Sequence, residues 1–421
     1  MLTVLTLLAL VVLATLIAHF VLGRLQARFL YTTGGEYILL GVLVGPQLPA
    51  LVGAVGGGGV GWQGLMGAEV LRQLGPLVSL AIGWAGLLYG MQFDLRGVLN
   101  SKSGAISLST VQGGVTFALV WGVARWVLSG TSFLGLAPAE ASQAALFLGA
   151  AAAVSSPAAW DLVNRRFPGQ GRHSALLKEG SNLDEILAVA VFGLVFCLYH
   201  PSAPAPLGRA PTPTEWYVVS VLLGVIMGVV FHFFLGDEDD ENHLFLAFTG
   251  IIVFASGAAW ALHLSPLLVS LVLGIVLSNT SRHARRALPV IRRTHQPMVI
   301  LLLIFAGALW APVPWPALVF AVLFVSLRAL GKLAGGGLAA LSLGPGLRRD
   351  LGRGMLGHGE VALAMALNLR LVYQGPFVDW VYTAVLVSLV VNEIWSARLL
   401  KGFLIDAGDI RVGAASRAGE G

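Results

Sequence analysis

Ser181-Asn182-Leu183-Asp184-Glu185-Ile186-Leu187-Ala188-Val189 places two adjacent carboxylates inside a predominantly apolar run from Leu176 to Tyr199. A run of this length crosses a bilayer as one helix. An acid at the bilayer centre costs roughly 2.5–3.5 kcal/mol even on lenient insertion scales. Two in succession are therefore expected to be functional. Their chemistry suits a small cation that exchanges with protons.

The rest of the chain agrees with a membrane setting. Of its 421 residues, 57% are hydrophobic and 11% charged, with a mean hydropathy of +0.82. A soluble domain carries about 25% charged residues, so the chain reads as an all-α polytopic membrane protein. The single cysteine, Cys197, excludes a disulfide within the chain and offers no thiolate metal site. Leu2 to Leu22 has no basic leading segment and no small-residue cleavage site, and is expected to stay as a helix. The net charge of +5 is no sign of nucleic-acid binding here, because the position of the basic residues matters more than their sum.

Apolar runs predict thirteen spans: 2–22, 35–54, 75–97, 104–129, 141–163, 176–199, 216–236, 243–262, 264–280, 290–311, 315–342, 350–373 and 377–400. With the N-terminus outside, Arg24, Arg28, Arg96, Lys102, Arg165, Arg166, Arg172, Arg282, Arg285, Arg286, Arg292, Arg293, Arg348, Arg349, Arg353, Arg398 and Lys401 fall on one side. The other side keeps little more than Arg72, Arg125, Arg209 and Arg370. This split is the positive-inside pattern and puts the C-terminus in the cytoplasm. His200 to Thr214 is Pro-rich and reads as an extended external linker. Asp237 to Glu241 is an acidic cytoplasmic run, and Gly56–Gly59 a loop.

Two spans carry helix breakers. In the fifth, Val154-Ser155-Ser156-Pro157 lies at membrane depth, and Pro157 removes a backbone donor and crowds the preceding turn. In the twelfth, Gly352, Gly354, Gly357 and Gly359 precede a buried acid, Glu360. Interrupted helices in two halves of a chain point to a transport site built from inverted repeats. The eleventh span adds Arg328 and Lys332, four apart on one helix face. Asp184, Glu185 and Glu360 are the acids available to pair with them. Asp161, Lys178 and Arg370 are expected near membrane ends, and His19 and His232 to be packed or interfacial.

With these motifs in hand, the chain resembles the monovalent cation:proton antiporters of the Kef and bacterial sodium/proton type. Gly35-Glu36-Tyr37 through Val44-Gly45-Pro46 is similar to their opening signature. Gly86-Leu87-Leu88-Tyr89-Gly90-Met91-Gln92-Phe93-Asp94-Leu95 resembles their third-helix pattern, with Gln92 in place of the usual Glu. Leu264-Ser265-Pro266-Leu267 through Ser278-Asn279 resembles another, and Gly359-Glu360-Val361 the acid-bearing motif of the second broken helix. Ser155-Ser156-Pro157 falls where the first broken helix lies. Asp184-Glu185 resembles the Asp-Asp pair of electrogenic members, with Glu in the second place.

The resemblance implies thirteen helices, two of them broken and crossing, and a homodimer embedded in lipid. It implies N-terminal helices of a dimer domain in 1–100 and the first half of a core domain in 101–200. A linker and further dimer-domain helices fill 201–310, the second half of the core 311–402, and a short cytoplasmic tail 403–421. That tail has no room for a nucleotide-binding regulatory domain. No cofactor is expected; the cargo is Na+, Li+ or K+ against H+. Glu185 is expected to be the main cation and proton site. Asp184, Ser155, Ser156 and freed carbonyls near Val154 would add the hard oxygen ligands that alkali cations require. Burial favours the protonated form of a carboxyl, so protons and cations would compete near neutral pH. Lys332 is expected to pair with Asp184 when no cation is bound. Pro157, Gly359, Glu360 and Arg328 are expected to support the broken helices, with Glu360 balancing their dipoles. The alternatives are an electroneutral K+/H+ antiporter, a cation channel, or an intramembrane hydrolase using Ser155 and Lys332.

Overall fold

The computed structural model describes residues 34–47, 67–100, 104–130, 136–201, 211–235, 240–280 and 282–410. The first predicted span, Gly56–Gly59, most of the Pro-rich linker, most of the acidic run and the end of the tail lie outside them. Within them the chain is helical, and no strand occurs among the described residues. In an apolar medium a spanning backbone must satisfy its own hydrogen bonds, which a helix does locally.

The helices are α1 Gly35–Val44, α2 Ala68–Gln73, α3 Gly75–Met91, α4 Leu95–Asn100, α5 Ala105–Gly130, α6 Pro138–Ala153, α7 Ala158–Arg166 and α8 Arg172–Leu198. They continue as α9 Pro213–Leu235, α10 Glu241–Ala261, α11 Pro266–Thr280, α12 Arg282–Ala308 and α13 Trp315–Ser342. A 3-10 turn at Leu351–Met355 precedes α14, Gly359–Val372, and α15, Pro376–Asp406. Every predicted span from the second onward has its helix. Seven segments among the described residues, six single helices and the interrupted α6–α7 pair Pro138–Arg166, are long and apolar enough to cross a membrane, and Gly35–Val44, Gly75–Met91 and Pro266–Thr280 are shorter apolar ones.

Several boundaries differ from expectation. The second span's helix stops at Val44, before Gly45 and Pro46, and the twelfth's α-helix starts only at Gly359, after the 3-10 turn. The third span ends at Met91 because Asn279 pins the chain beyond it: its Nδ2 donates to Phe93 O (3.0 Å) and its Oδ1 accepts from Leu95 N (3.0 Å). The tenth starts early, since the basic stretch from Arg282 continues the helix through Pro289 and Pro297. The last extends to Asp406 because Phe403 and Leu404 bury themselves in an apolar cluster with Leu176 and Leu351. The short α2 was not expected.

Packing falls into two groups. In one, α3 lies against α11 and α12, and α1 against α12. In the other, α5 lies against α6, α8 and α13, and α15 against α13 and α14. Small residues let membrane helices approach closely. A Cβ at Gly274 of α11 would stand 2.4 Å from Leu87 O of α3, so that crossing tolerates nothing larger. At the end of the molecule carrying Asp350, the Arg348 guanidinium hydrogen-bonds that carboxylate (2.9 Å) and holds it below the usual carboxyl range.

Candidate functional site

The two expected breaks form, and they face each other. α6 stops at Ala153; Val154 is extended, and the helix resumes as α7 after Pro157. The 3-10 turn stops at Met355, and α14 begins at Gly359. Ser156 N donates to Gly357 O across the gap (3.1 Å). Gly359 has φ +65° and lies so near Ser156 that a Cβ would stand 2.2 Å from its hydroxyl. Only glycine meets both conditions.

Broken helices leave carbonyls without their usual donors, and in an apolar interior each needs another. Two cations of α13 supply them. Arg328 donates to Val154 O (2.7 Å), Leu356 O (2.8 Å) and Gly357 O (2.8 Å), so one guanidinium bridges both breaks. Lys332 Nζ donates to Ala153 O (2.6 Å) and Ser155 Oγ (2.5 Å) and lies 3.4 Å from Asp184 Oδ2. A third donor is His358 Nε2, which lies 3.0 Å from Ala151 O. The last turn of α6 is thus met by three side chains from the second half of the chain.

Asp184 and Glu185 sit on α8 beside this crossing, both buried. Asp184 Oδ2 accepts from Ser155 Oγ (2.6 Å). Gln112 of α5, in the amide orientation that satisfies its neighbours, donates to the same oxygen (2.6 Å) and accepts from Lys332 Nζ (2.8 Å). Asp184 Oδ1 and both oxygens of Glu185 have no hydrogen-bond partner. Glu185 forms part of the wall of a cavity of about 420 Å³ between α3 and α8, together with Tyr89, Asp94 and Asn182. A second cavity of about 940 Å³ shares Tyr89, Asp94 and Asn182 and reaches Ser156, Pro157 and Glu360. The acid pair is therefore divided: Asp184 faces the ammonium and the break, and Glu185 faces the cavity.

Each expected site residue has a definite place. Asp184, Ser155 and Lys332 form one hydrogen-bonded cluster, and Arg328 joins the two breaks. Ser156 makes its side-chain hydrogen bond with Ala158 N and lines the larger cavity, away from Asp184's partners. The expected Val154 carbonyl is held by Arg328. Glu360 meets neither Arg328 nor Lys332; it bonds Tyr89 and, at 2.8 Å, His295 Nε2. Arg370 pairs with Asp379, Lys178 lies 4.8 Å from the centre of the Trp160 ring, and Asp161 lines the larger cavity. Ser155 is fully buried and its hydroxyl donates to Asp184, so the Ser–Lys pair is not set up as an exposed nucleophile.

Four residues of the site were missed in the sequence: Gln112, His358, Tyr89 and His295. Gln112 carried a signal, because it and Thr116 are polar residues four apart inside an apolar span. His358 and Tyr89 lay within quoted motifs but were given no role. His295 was hidden in a basic stretch and reaches Glu360 only through the fold.

The molecule is similar to two structures of the sodium proton antiporter MjNhaP1 from Methanocaldococcus jannaschii. One, determined at pH 8, has 14% identity and a TM-score of 0.66, covering 97% of this chain and 99% of that one. The other, from an electron-microscopy map, has 12% identity and a TM-score of 0.65, covering 96% and 97%. At this identity the likeness shows the fold. No curated protein matches the sequence. The profile described as "Sodium/hydrogen exchanger, transmembrane" matches residues 36–402. The chain thus belongs to the sodium/hydrogen exchanger family, and is a multi-pass membrane protein of the cation/proton antiport class and not an enzyme.

Proposed function

We propose that the protein exchanges Na+ for H+ electrogenically, with Glu185 and Asp184 carrying the exchange. The observation that carries this reading is the division of the pair. Glu185 presents two hydrogen-bond-free oxygens at a cavity wall, while Asp184 is held by Lys332, Ser155 and Gln112. A buried carboxylate needs a proton or a cation. Glu185 has no fixed donor, so either can serve. Lys332 stands where it can neutralise Asp184, and a cation drawing Asp184 away would release the ammonium to lose its proton. Each cycle would then move more than one proton against one cation. A channel would not need this competition, and an electroneutral cycle would not need Lys332. A resident cofactor has no part in this cycle.

The reading extends to the whole molecule. We take 101–200 and 311–402 as the core that moves against the remaining helices, and the protein as a homodimer. The basic helix ends support a C-terminus in the cytoplasm of a bacterial inner membrane and an N-terminus outside. The larger cavity then opens inward, since Arg165 and Arg292 line it. Glu185→Gln keeps shape and removes the titrating charge. In proteoliposomes with an internal pH dye, wild-type protein should dissipate a proton gradient on adding Na+ or Li+, more weakly with K+. Glu185→Gln should show under about a tenth of that rate with the same melting temperature. Wild-type rates in Glu185→Gln would remove Glu185 from the mechanism.

A further inference from the structure

The helix that carries the acid pair starts without a cap of its own. The residue before α8 is Gly171, which has no side chain to satisfy the first N–H groups. Asp409 supplies the cap from 235 residues away in sequence: its Oδ2 accepts from Ser174 N at 2.7 Å. Its Oδ1 lies 3.4 Å from His173 Nδ1. Arg348 N donates to the other ring nitrogen, Nε2, at 3.4 Å, which leaves Nδ1–H as the donor to Asp409. Gln170 N donates to the Asp409 carbonyl (3.1 Å). Gly171 is required for space, since a Cβ there would stand 2.2 Å from the Asp409 carboxylate. A negative charge at a helix N-terminus is further favoured by the helix dipole.

The same short segment is fixed to the other parts of the site. Asp406 accepts from Arg353 Nη1 (3.0 Å) in the 3-10 turn, and its carbonyl accepts from Arg348 Nη1 (3.1 Å). Ser174 Oγ accepts from Trp160 Nε1 of α7 (3.1 Å), so the capped turn also holds the second half of the first broken helix. The start of α8 and the start of the second broken helix therefore converge on residues 406–410, and α7 joins them through Ser174.

We propose that Asp409 is a positioning residue for antiport: by capping α8 from the end of α15, it sets the height of Asp184 and Glu185 against the two breaks. This rests on the assignment of the acid pair to cation exchange. Releasing the cap would let α8 shift or fray at its base and spoil the fit of Asp184 to Ser155 and Lys332. The effect belongs in apparent cation affinity more than in maximal rate.

The test is Na+-dependent proton exchange by the full chain in proteoliposomes, with half-saturating Na+ and maximal rate measured separately, and melting and elution profile as folding controls. Asp409→Ala should raise half-saturating Na+ about fivefold, the factor that a cap of typical strength corresponds to. Asp409→Asn, which keeps an accepting oxygen, should restore most of it. Gly171→Ala should mimic Asp409→Ala, and the double variant should be no worse than either single one. Should Asp409→Ala not fold, Gly171→Ala and Asp409→Asn carry the same comparison. Unchanged half-saturation in folded Asp409→Ala or Gly171→Ala overturns the proposal, as does an Asn variant as impaired as the Ala variant. A loss of maximal rate alone, in step with lost folded protein, also overturns it. A wild type that exchanges no Na+ would instead overturn the function on which the proposal rests.

Discussion

Arg328 is the residue on which both breaks depend. Its planar guanidinium reaches three carbonyls that come from two separate interruptions. A lysine ammonium has neither the fork nor the reach for this arrangement. Each buried carbonyl left without a donor costs about 1–3 kcal/mol. Arg328→Met should therefore destabilise the folded protein by about 3 kcal/mol or more, seen as a fall in melting temperature in detergent. An unchanged melting temperature would show that other groups satisfy these carbonyls. The sequence announced Arg328 and Lys332 as charges on one helix face, with Lys332 the expected partner of Asp184 and Arg328 the alternative. Their roles separate only in three dimensions, where four residues along α13 bring one cation to carbonyls of both breaks and the other to Ala153 O, Ser155 and the Asp184 carboxylate. Gln112 was less legible because a single amide in an apolar span is more often a helix contact than part of a charged cluster.

The interrupted helices could be read from the sequence, because Pro157 and the run of glycines from Gly352 to Gly359 act through local backbone physics. Helix ends fixed by distant side chains could not. α3 stops where Asn279 binds the chain just beyond it, and α15 extends because Phe403 and Leu404 pack against Leu176 and Leu351; neither cause lies near the affected residues. The acid of the second break was legible as an acid but not in its partners. Glu360 sits in the first turn of α14, where a negative charge offsets the helix dipole, and it bonds Tyr89 of α3 and His295 of α12. These contacts cross between the two helix groups. Glu360→Gln should lower the melting temperature at least as much, in relative terms, as it lowers exchange. A variant with normal melting and no cation binding would make Glu360 a ligand and not a support.

At the scale of the whole molecule, the account is a competition. One group of helices holds the carboxylates and the crossed breaks, the other closes the cavities beside them, and in the proposed cycle Lys332 and the cation contend for Asp184. The apolar composition, the thirteen spans and the order of motifs made the fold legible from the chain alone. The competition remains a proposal, supported by the cluster that Lys332, Ser155 and Asp184 form. Binding of a cation to titrating ligands releases their protons. The direct measurement is proton release when NaCl is added to purified protein in weakly buffered detergent solution near neutral pH. Choline chloride serves as the ionic-strength control. The account predicts release approaching roughly two protons per bound Na+ in the wild type, about one in Lys332→Gln, and a markedly smaller signal in Glu185→Gln. Na+ binding by the wild type with no proton release, or equal release from all three proteins, would contradict it.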